Sequence, residues 1–531
     1  MKKVLMFTLL FGAITFTFAG NKIATDYYYA SDYAVAKSYF LSGNIDAMDS
    51  YYLGQIYLKS NKKDSAQYYY NKGMQIDPAN TYNKIGLATI NNDAKGLDLI
   101  GKDKLNKKDV NIMLAIAEAY QINNNALQAN AYVEKAKKVN KKNPLIYLYE
   151  GTQLLLQKKT NDAASKFDQA IYFEPNCKVA HFKLAQDVYK NVRASVAREN
   201  LEKAISIDAQ YVPALSLLAD INKRTGFYPE ALDAFNKYLS VVKPSPSDYE
   251  KYAAILYFNK KYDETLSAIS KAPNTFVMNR LKMYSQNELG KYTDALATGG
   301  NLFKIRTNND SIIGQDYTTY ADLLLKNNQF AEAAANYENA FNLDTTKTDI
   351  LKEIAKAYGS AKDYDKSAKY YTLVTSKPNC AISDVFMLGR TYYIAGTNET
   401  LTDVAKKTEY LNNSDKTFSI MIERLPDNYM GYFWKARANA ALDPETTQGL
   451  AKPYYEKAVE LMLPTLDKLK NETMEAYRYL AYFNYLKNDI VNAKMYFNKV
   501  LEINPTDAVS LQAIKSMETP KRTTTTTKKP K

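Results

Sequence analysis

Apolar residues recur along this chain at helical spacing, in paired stretches separated by short polar turns, and the pattern predicts one amphipathic helix after another. Each pair is marked at a fixed place by a small residue: Ala117, Gly151, Ala185, Ala219 and Ala253 follow one another at intervals of 34. Twelve residues after each comes Ala129, Ala163, Ala197, Ala231 or Thr265, and four further on a bulky one, Val133, Phe167, Leu201, Phe235 or Ile269. Three beyond that stand Ala136, Ala170, Ala204 and Ala272, with Tyr238 as the exception. The spacing predicts helical hairpins. A small residue on each helix lets the two backbones approach, and the bulky residue fills the space toward the next hairpin. Pro175 ends one unit after Tyr172-Phe173-Glu174, because proline cannot continue a helix. A single hairpin cannot bury its own apolar face, so the units must stack.

The register has breaks. Residues 81–110 make a short, poorly matched unit. Pro244-Ser245-Pro246-Ser247 interrupts the array, since two prolines do not fit a helix interior. Beyond it the period holds for one unit and slips at Pro273-Asn274. Gly396 to Asn413 is expected to add about a dozen residues of connection to one hairpin, and Leu442 to Thr447 is a second insertion after Trp434. The expected organisation is a leader (1–20), a first stack (21–245), a second stack closed by a covering helix (246–518) and a low-complexity tail (519–531).

The leader has Lys2-Lys3, an apolar run from Val4 to Phe11, and small residues at Ala19-Gly20. This reads as a Sec-type signal peptide cleaved close to Ala19 or Gly20. Its apolar stretch falls short of the roughly 20 residues a spanning helix needs. No Cys follows that could take a lipid anchor, and no other segment is apolar enough to span. The chain is therefore expected in the periplasm or associated with the envelope. The tail, five threonines flanked by Lys521, Arg522, Lys528, Lys529 and Lys531, has nothing to bury and is expected to be solvated. Its charge would suit weak contact with an anionic envelope surface, such as peptidoglycan or lipid head groups.

Charge and composition narrow the chemistry. The net charge of the 531 residues is +13, but the leader and tail carry seven of those charges and leave a mild excess of +6 for the body. With no nucleic-acid motif and more Lys than Arg, a base-reading role is not expected. One His and two Cys are too few for a zinc site. Cys177 and Cys380 occupy the same Pro-Asn-Cys context 203 residues apart, so they are expected to be separate buried thiols in a one-dimensional stack. His181 reads as a packed side chain. No nucleophile elbow, P-loop, dinucleotide fingerprint or metalloprotease motif occurs, and no enzymatic activity, cofactor or metal is predicted. The 46 tyrosines, including Tyr68-Tyr69-Tyr70 and Tyr479, Tyr482 and Tyr485, are read as packing on half-buried helix faces.

Several units resemble the tetratricopeptide repeat. Leu53-Gly54-Gln55-Ile56-Tyr57, Ala66, Tyr70, Gly73 and Pro78 reproduce its pattern, as do Gly151, Ala163, Phe167, Ala170 and Pro175. Ala321, Ala333, Tyr337 and Ala340 do so again, and so do Leu480-Ala481, Ala493, Phe497, Val500 and Pro505. The resemblance implies an all-α fold, an alpha-alpha superhelix in which stacked hairpins form a right-handed solenoid. It also implies a non-catalytic scaffold that binds protein or peptide partners on a concave face lined by the first helix of each unit. Mapped residue by residue, that face would present Phe182, Lys183, Gln186, Tyr189 and Lys190. Asp220, Lys223 and Arg224 follow in the next unit, with Arg390, Tyr393, Arg478 and Tyr482 farther on. This mixture of basic and Tyr side chains would suit an extended peptide with carboxylates and apolar groups. Phe182 and Gln186 stand at two places of the family's two-carboxylate clamp, so that ligand is not expected. The alternative is a glycan- or peptidoglycan-binding envelope protein of the SusD-like type. Such proteins usually carry a lipid-anchor Cys and several exposed Trp, whereas this chain has only Trp434.

Overall fold

The computed structural model describes residues 21–377 and 379–518; the leader and the basic tail lie outside them. Among the described residues the regular structure is helical throughout, without a strand. Thirteen helix-turn-helix pairs follow one another from Ala47–Lys59 with Lys63–Ile76 to Lys470–Leu486 with Ile490–Ile503. A helix over residues 21–29 and Tyr33–Ser42 precede them, and Ala508–Glu518 follows. The described residues divide into two compact units, the first ending at Ser285 and the second beginning at Gln286.

The hairpins arise where the repeat demands them. Ala117, Ala185, Ala219, Ala253, Ala163, Ala197 and Ala231 are all fully buried, as are Phe167 and Leu201. A glycine gives the closest packing: a Cβ built on Gly151 would fall 2.5 Å from the Phe167 ring. The turns share one device. The residue closing the first helix of a hairpin is followed by one at positive φ, among them Asn61, Asn124, Lys158, Gly226, Lys260 and Asn328. This left-handed residue ends the helix and turns the chain back, and Asn and Gly adopt it with least strain. The next helix is then capped by a side chain at several turns, as Asn125 accepts from the Gln128 amide and Asp363 from the Lys366 amide.

The register breaks take defined forms. Residues 81–110 fold as the short pair Thr81–Ile90 and Ala94–Lys102. The Pro-Ser stretch lies inside the first unit. Pro246 takes the first turn of Pro246–Phe258, where its missing N–H costs nothing, and Ser245 and Asp248 form a reciprocal capping box. Tyr238 Oη donates to Asp248 Oδ1 at 2.8 Å, tying this helix to the one before it. Ile269 ends its helix, so Ala272 falls beyond it and the period slips. The expected long connection after Gly396 is mostly helix. Val404–Arg424 runs for 21 residues from an Asp403 cap, so the extra residues lengthen the second helix of that hairpin. The later insertion is a loop organised by Asp443, whose carboxylate accepts from the amides of Thr447, Gln448 and Gly449 at 3.1, 2.9 and 2.7 Å.

In the second unit, two successive first helices, Tyr429–Leu442 and Lys470–Leu486, are tied by Arg437, which grips Glu475 through Nε and Nη2 at 2.7 and 2.5 Å. Tyr455 Oη adds a bond to the same carboxylate at 3.1 Å.

Candidate functional site

The first unit organises its chemistry around the helix at residues 21–29. Ile23, Ala24, Tyr27 and Ala30 are buried in an apolar cluster that also holds Phe40, Phe182, Tyr211, Leu215, Phe235 and Ile255. These residues come from hairpins far apart in sequence, and most lie on or beside first helices. The inner face of the first unit thus already carries a segment of its own chain. Burial of its apolar side chains is the main attraction, and polar contacts fix its register. Lys178 Nζ donates to Asp26 Oδ1 and to Asp208 Oδ2, both at 2.7 Å, and Lys22 Nζ reaches the same Asp208 oxygen at 2.7 Å. Asn21 Nδ2 donates to Asp49 Oδ2 at 3.0 Å.

Electrostatics follow from this packing. Burial pushes the Asp208 carboxyl up, but hydrogen bonds and charge from Lys178 and Lys22 outweigh it and hold the group down at about 2. Burial raises Asp26 despite Lys178. Burial also raises Asp49, to about 6, against the bonds it accepts from the Asp46 amide and Asn21.

Two cavities flank the N-terminal helix, and Ser31 lines both. The first, about 540 Å³, is bounded by Tyr27, Ala30, Ser31 and Asp32 on one side and by Gln186, Lys190, Ser216, Asp220, Lys223 and Lys251 on the other, over a floor of Phe182 and Phe235. Asp220 is engaged by Lys223 at 3.6 Å and by Arg224 at 3.5 Å, and Asp32 caps the helix Tyr33–Ser42. Lys190 and Lys251 have no carboxylate partner among the described residues. The cavity therefore has a surplus of positive charge above an aromatic floor. Among the described residues no group of three His, Cys, Asp or Glu is placed to hold a metal ion.

The sequence-selected residues divide into groups. Phe182, Gln186, Lys190, Asp220 and Lys223 come together in this cavity, and Arg224 Nη2 stands beside it, donating to the Lys190 carbonyl at 3.2 Å. Phe182, however, is buried as floor. Lys183 is buried as well and faces the other cavity; its Nζ donates to Ser31 Oγ at 2.8 Å and pairs with Asp187 at 3.3 Å. Gln186 Nε2 donates to the Ala30 carbonyl at 3.1 Å. Lys183 and Gln186 therefore hold the N-terminal segment. Tyr189 packs against the cluster of Phe167 and Leu184. A π-helical turn over Leu184–Tyr189 widens the helix there and shifts the side-chain register that an α-helical wheel assigns.

In the second unit, Arg390 and Tyr482 are exposed. Tyr393 packs edge-on against Trp434 with ring centres 5.4 Å apart. Arg478 is committed to Asp507, which its Nη2 reaches at 2.5 Å.

Residues 27–32 carry no groove signal in the sequence, because contacts such as Lys183 with Ser31 and Gln186 with Ala30 join positions more than 150 apart. Lys251 had a signal. It lies 68 residues after Lys183, two periods on the same helix face.

The remaining candidates are structural. His181 sits between Asn200 Oδ1 at 3.1 Å and the Pro175 carbonyl at 3.3 Å. Cys177 and Cys380 are free thiols. Burial raises the Cys177 thiol, which disfavours the reactive thiolate, and Cys380 Sγ accepts from Arg424 Nη1 at 3.2 Å. Tyr70 is wholly buried, while Tyr68, Tyr482 and Tyr485 are exposed.

Residues 51–80 match the sequence profile of the tetratricopeptide repeat. That segment carries a tetratricopeptide repeat. Among solved structures the chain is similar to the C-terminal part of a TPR repeat-containing protein from Cytophaga hutchinsonii, at 26% identity and a TM-score of 0.34, over 56% of this chain and 98% of that one. It is similar to a tetratricopeptide repeat protein from Parabacteroides merdae, at 18% identity and a TM-score of 0.29, over 47% and 98% of the two chains. PilF of Pseudomonas aeruginosa is similar at 15% identity and a TM-score of 0.27, over 42% and 89%. No curated protein matches the chain. Nothing in these likenesses supports the glycan-binding alternative.

Proposed function

We propose that this repeat protein is a non-catalytic scaffold of the cell envelope that binds acidic, extended segments of protein partners in the cavity beside its N-terminal helix. The observation that carries the reading is the pair Lys190 and Lys251, unmatched by carboxylates, beside Lys223 and above the apolar floor of Phe182 and Phe235. Such a surface attracts a peptide carboxylate by charge and its side chains by burial. Tetratricopeptide repeats commonly bind protein partners, and residues 21–30 cover part of the inner face here. The envelope setting rests on the leader read in Met1 to Ala19, which lies outside the described residues. No described helix is long and apolar enough to cross a membrane.

The test is fluorescence anisotropy with a labelled Asp/Glu-rich peptide, using the native chain and a Lys190→Glu, Lys223→Glu, Lys251→Glu variant. The native chain should bind, more weakly as salt rises, and the variant should lose binding while keeping its helical circular dichroism. Equal binding by both would sink the cavity as the partner site. Cell fractionation with amino-terminal sequencing checks the setting: a cytoplasmic chain beginning at Met1 would refute it.

A further inference from the structure

The second cavity differs in chemistry from the first. It encloses about 370 Å³ and is lined by seven tyrosines, among them Tyr28, Tyr33, Tyr51, Tyr52 and Tyr149, over aliphatic surface from Met48, Leu114 and Leu148. The rings support one another: Tyr28 and Tyr52 are 4.7 Å apart between centres, Tyr28 and Tyr33 are 5.6 Å apart, and Tyr51 and Tyr52 are 5.7 Å apart. Burial raises Tyr28 and Tyr51 well above the usual phenol range, so these rings are neutral. The charged groups in the wall are already matched. Lys59 Nζ meets Glu118 Oε1 at 2.5 Å, and Lys183 is held by Ser31 and Asp187.

We infer that this cavity is a second binding site, which takes a neutral aromatic side chain of the same partner whose carboxylates occupy the lysine cavity. The inference rests on the scaffold reading for the partner, and on the cavity alone for the aromatic guest. Ring faces and edges at these separations favour another ring among them, and the aliphatic floor rewards its burial. A volume of this size lies within the range of small-ligand pockets. A cationic guest fits less well, because it would have to displace Lys59 from Glu118. A carboxylate would meet Glu118 itself. Ser31 lines both cavities, so one extended peptide can place acidic residues in the first and an aromatic residue in the second. Tyr28, Tyr29 and Tyr33 come from the N-terminal segment, so the site exists only with that segment in place.

The probe is 5-fluoroindole, followed by ¹⁹F NMR with the full chain. Thr152 lines the cavity and its hydroxyl bonds only to its own helix, at the Leu148 carbonyl. Thr152→Phe should fill the space and weaken fluoroindole binding by about tenfold or more, and Thr152→Val should change it less than about twofold. If Thr152→Phe does not fold by circular dichroism, Gln153→Trp fills the same cavity. Absence of fluoroindole binding to the native chain overturns the proposal, as does unchanged binding by a folded filled variant. So does a tetramethylammonium ion that binds where fluoroindole does not. In a parallel titration, an acidic peptide with one Trp should bind about tenfold more tightly than the same peptide with Ala there. Equal affinity of the two peptides removes the aromatic site and leaves the scaffold reading standing. Fluoroindole binding with no peptide binding removes the scaffold reading and leaves the cavity as a site for a free aromatic molecule.

Discussion

Lys178 reaches across 152 residues of sequence to Asp26, at 2.7 Å, and joins the first described helix to a hairpin in the middle of the first unit. Asp26 is buried, and its second oxygen has only Lys22 nearby, at 3.6 Å. Removing Lys178 would leave a buried carboxylate almost uncompensated. Lys178→Met should therefore destabilise the first unit by about 3 kcal/mol. Hydrogen exchange at the amides of residues 23–30 should rise in step with a lower urea midpoint. Asp26→Asn removes the charge that needs compensation and should cost less. Unchanged exchange in Lys178→Met would show that apolar burial alone holds the helix.

Two lysines chosen for the same helix face separate in their expected behaviour. Lys183 is buried against Ser31 and Asp187, whereas Lys190 lines the open cavity. Lys183→Glu would place a second carboxylate beside Asp187 in a buried position, so a loss of about 3 kcal/mol is expected in thermal or urea unfolding. Lys190→Glu should stay within about 0.5 kcal/mol and act on peptide affinity alone. A stable Lys183→Glu chain would mean that this side chain has another way out to water.

Glycines of two kinds should respond to opposite remedies. The buried Tyr70 ring is held between two helices, and a Cβ on Gly54 or Gly86 would fall 2.3 or 2.4 Å from it. Gly54→Ala should cost about 2 kcal/mol through overpacking, more than the roughly 1 kcal/mol that alanine gains in helix propensity. Gly226 has open space around it but φ +83°. Gly226→Ala should be milder, and Gly226→Asn milder still, because Asn tolerates the left-handed region. Thermal unfolding of the three variants gives the order. Gly54→Ala at or above native stability would show that the ring can move aside.

Much of this architecture was legible from local chemistry. The 34-residue period located the hairpin crossings because Ala, Gly and bulky positions report packing between helices adjacent in sequence, as Gly151 and Phe167 do. The groove was harder to read. A helix wheel assigns Phe182, Lys183, Gln186 and Lys190 to one face, and they do share a helix. It carries no information that residues 21–31 return to cover part of that face, nor that Leu184–Tyr189 winds as a π-turn. Val404–Arg424 shows the same limit differently: extra residues in a repeat can lengthen a helix as readily as a loop, and a polar sequence such as Lys406-Lys407-Thr408-Glu409 does not distinguish the two.

At the other end of the array, the last turn has a pH signature. Arg478 donates to Asp507 Oδ1, and Oδ2 accepts from the Ser510 amide at 3.0 Å and its hydroxyl at 2.6 Å, capping Ala508–Glu518. The Arg478 bond, aided by Ser510 and opposed by burial, holds the Asp507 carboxyl at about 2, below its ordinary 3.8. An acid depressed in this way binds its proton less readily in the folded chain than in the unfolded one. Its contribution is therefore complete above its ordinary value and is lost as pH falls through about 2. Protection of the amides of residues 508–518 should decline between about pH 4 and pH 2, ahead of the helices before them, and Asp507→Asn should flatten that decline. Arg478→Ala should lower protection of the same amides at neutral pH and move the decline upward in pH. It should leave peptide binding in the first unit untouched. If Arg478→Ala instead keeps the protection and weakens binding, the arginine is a partner contact after all.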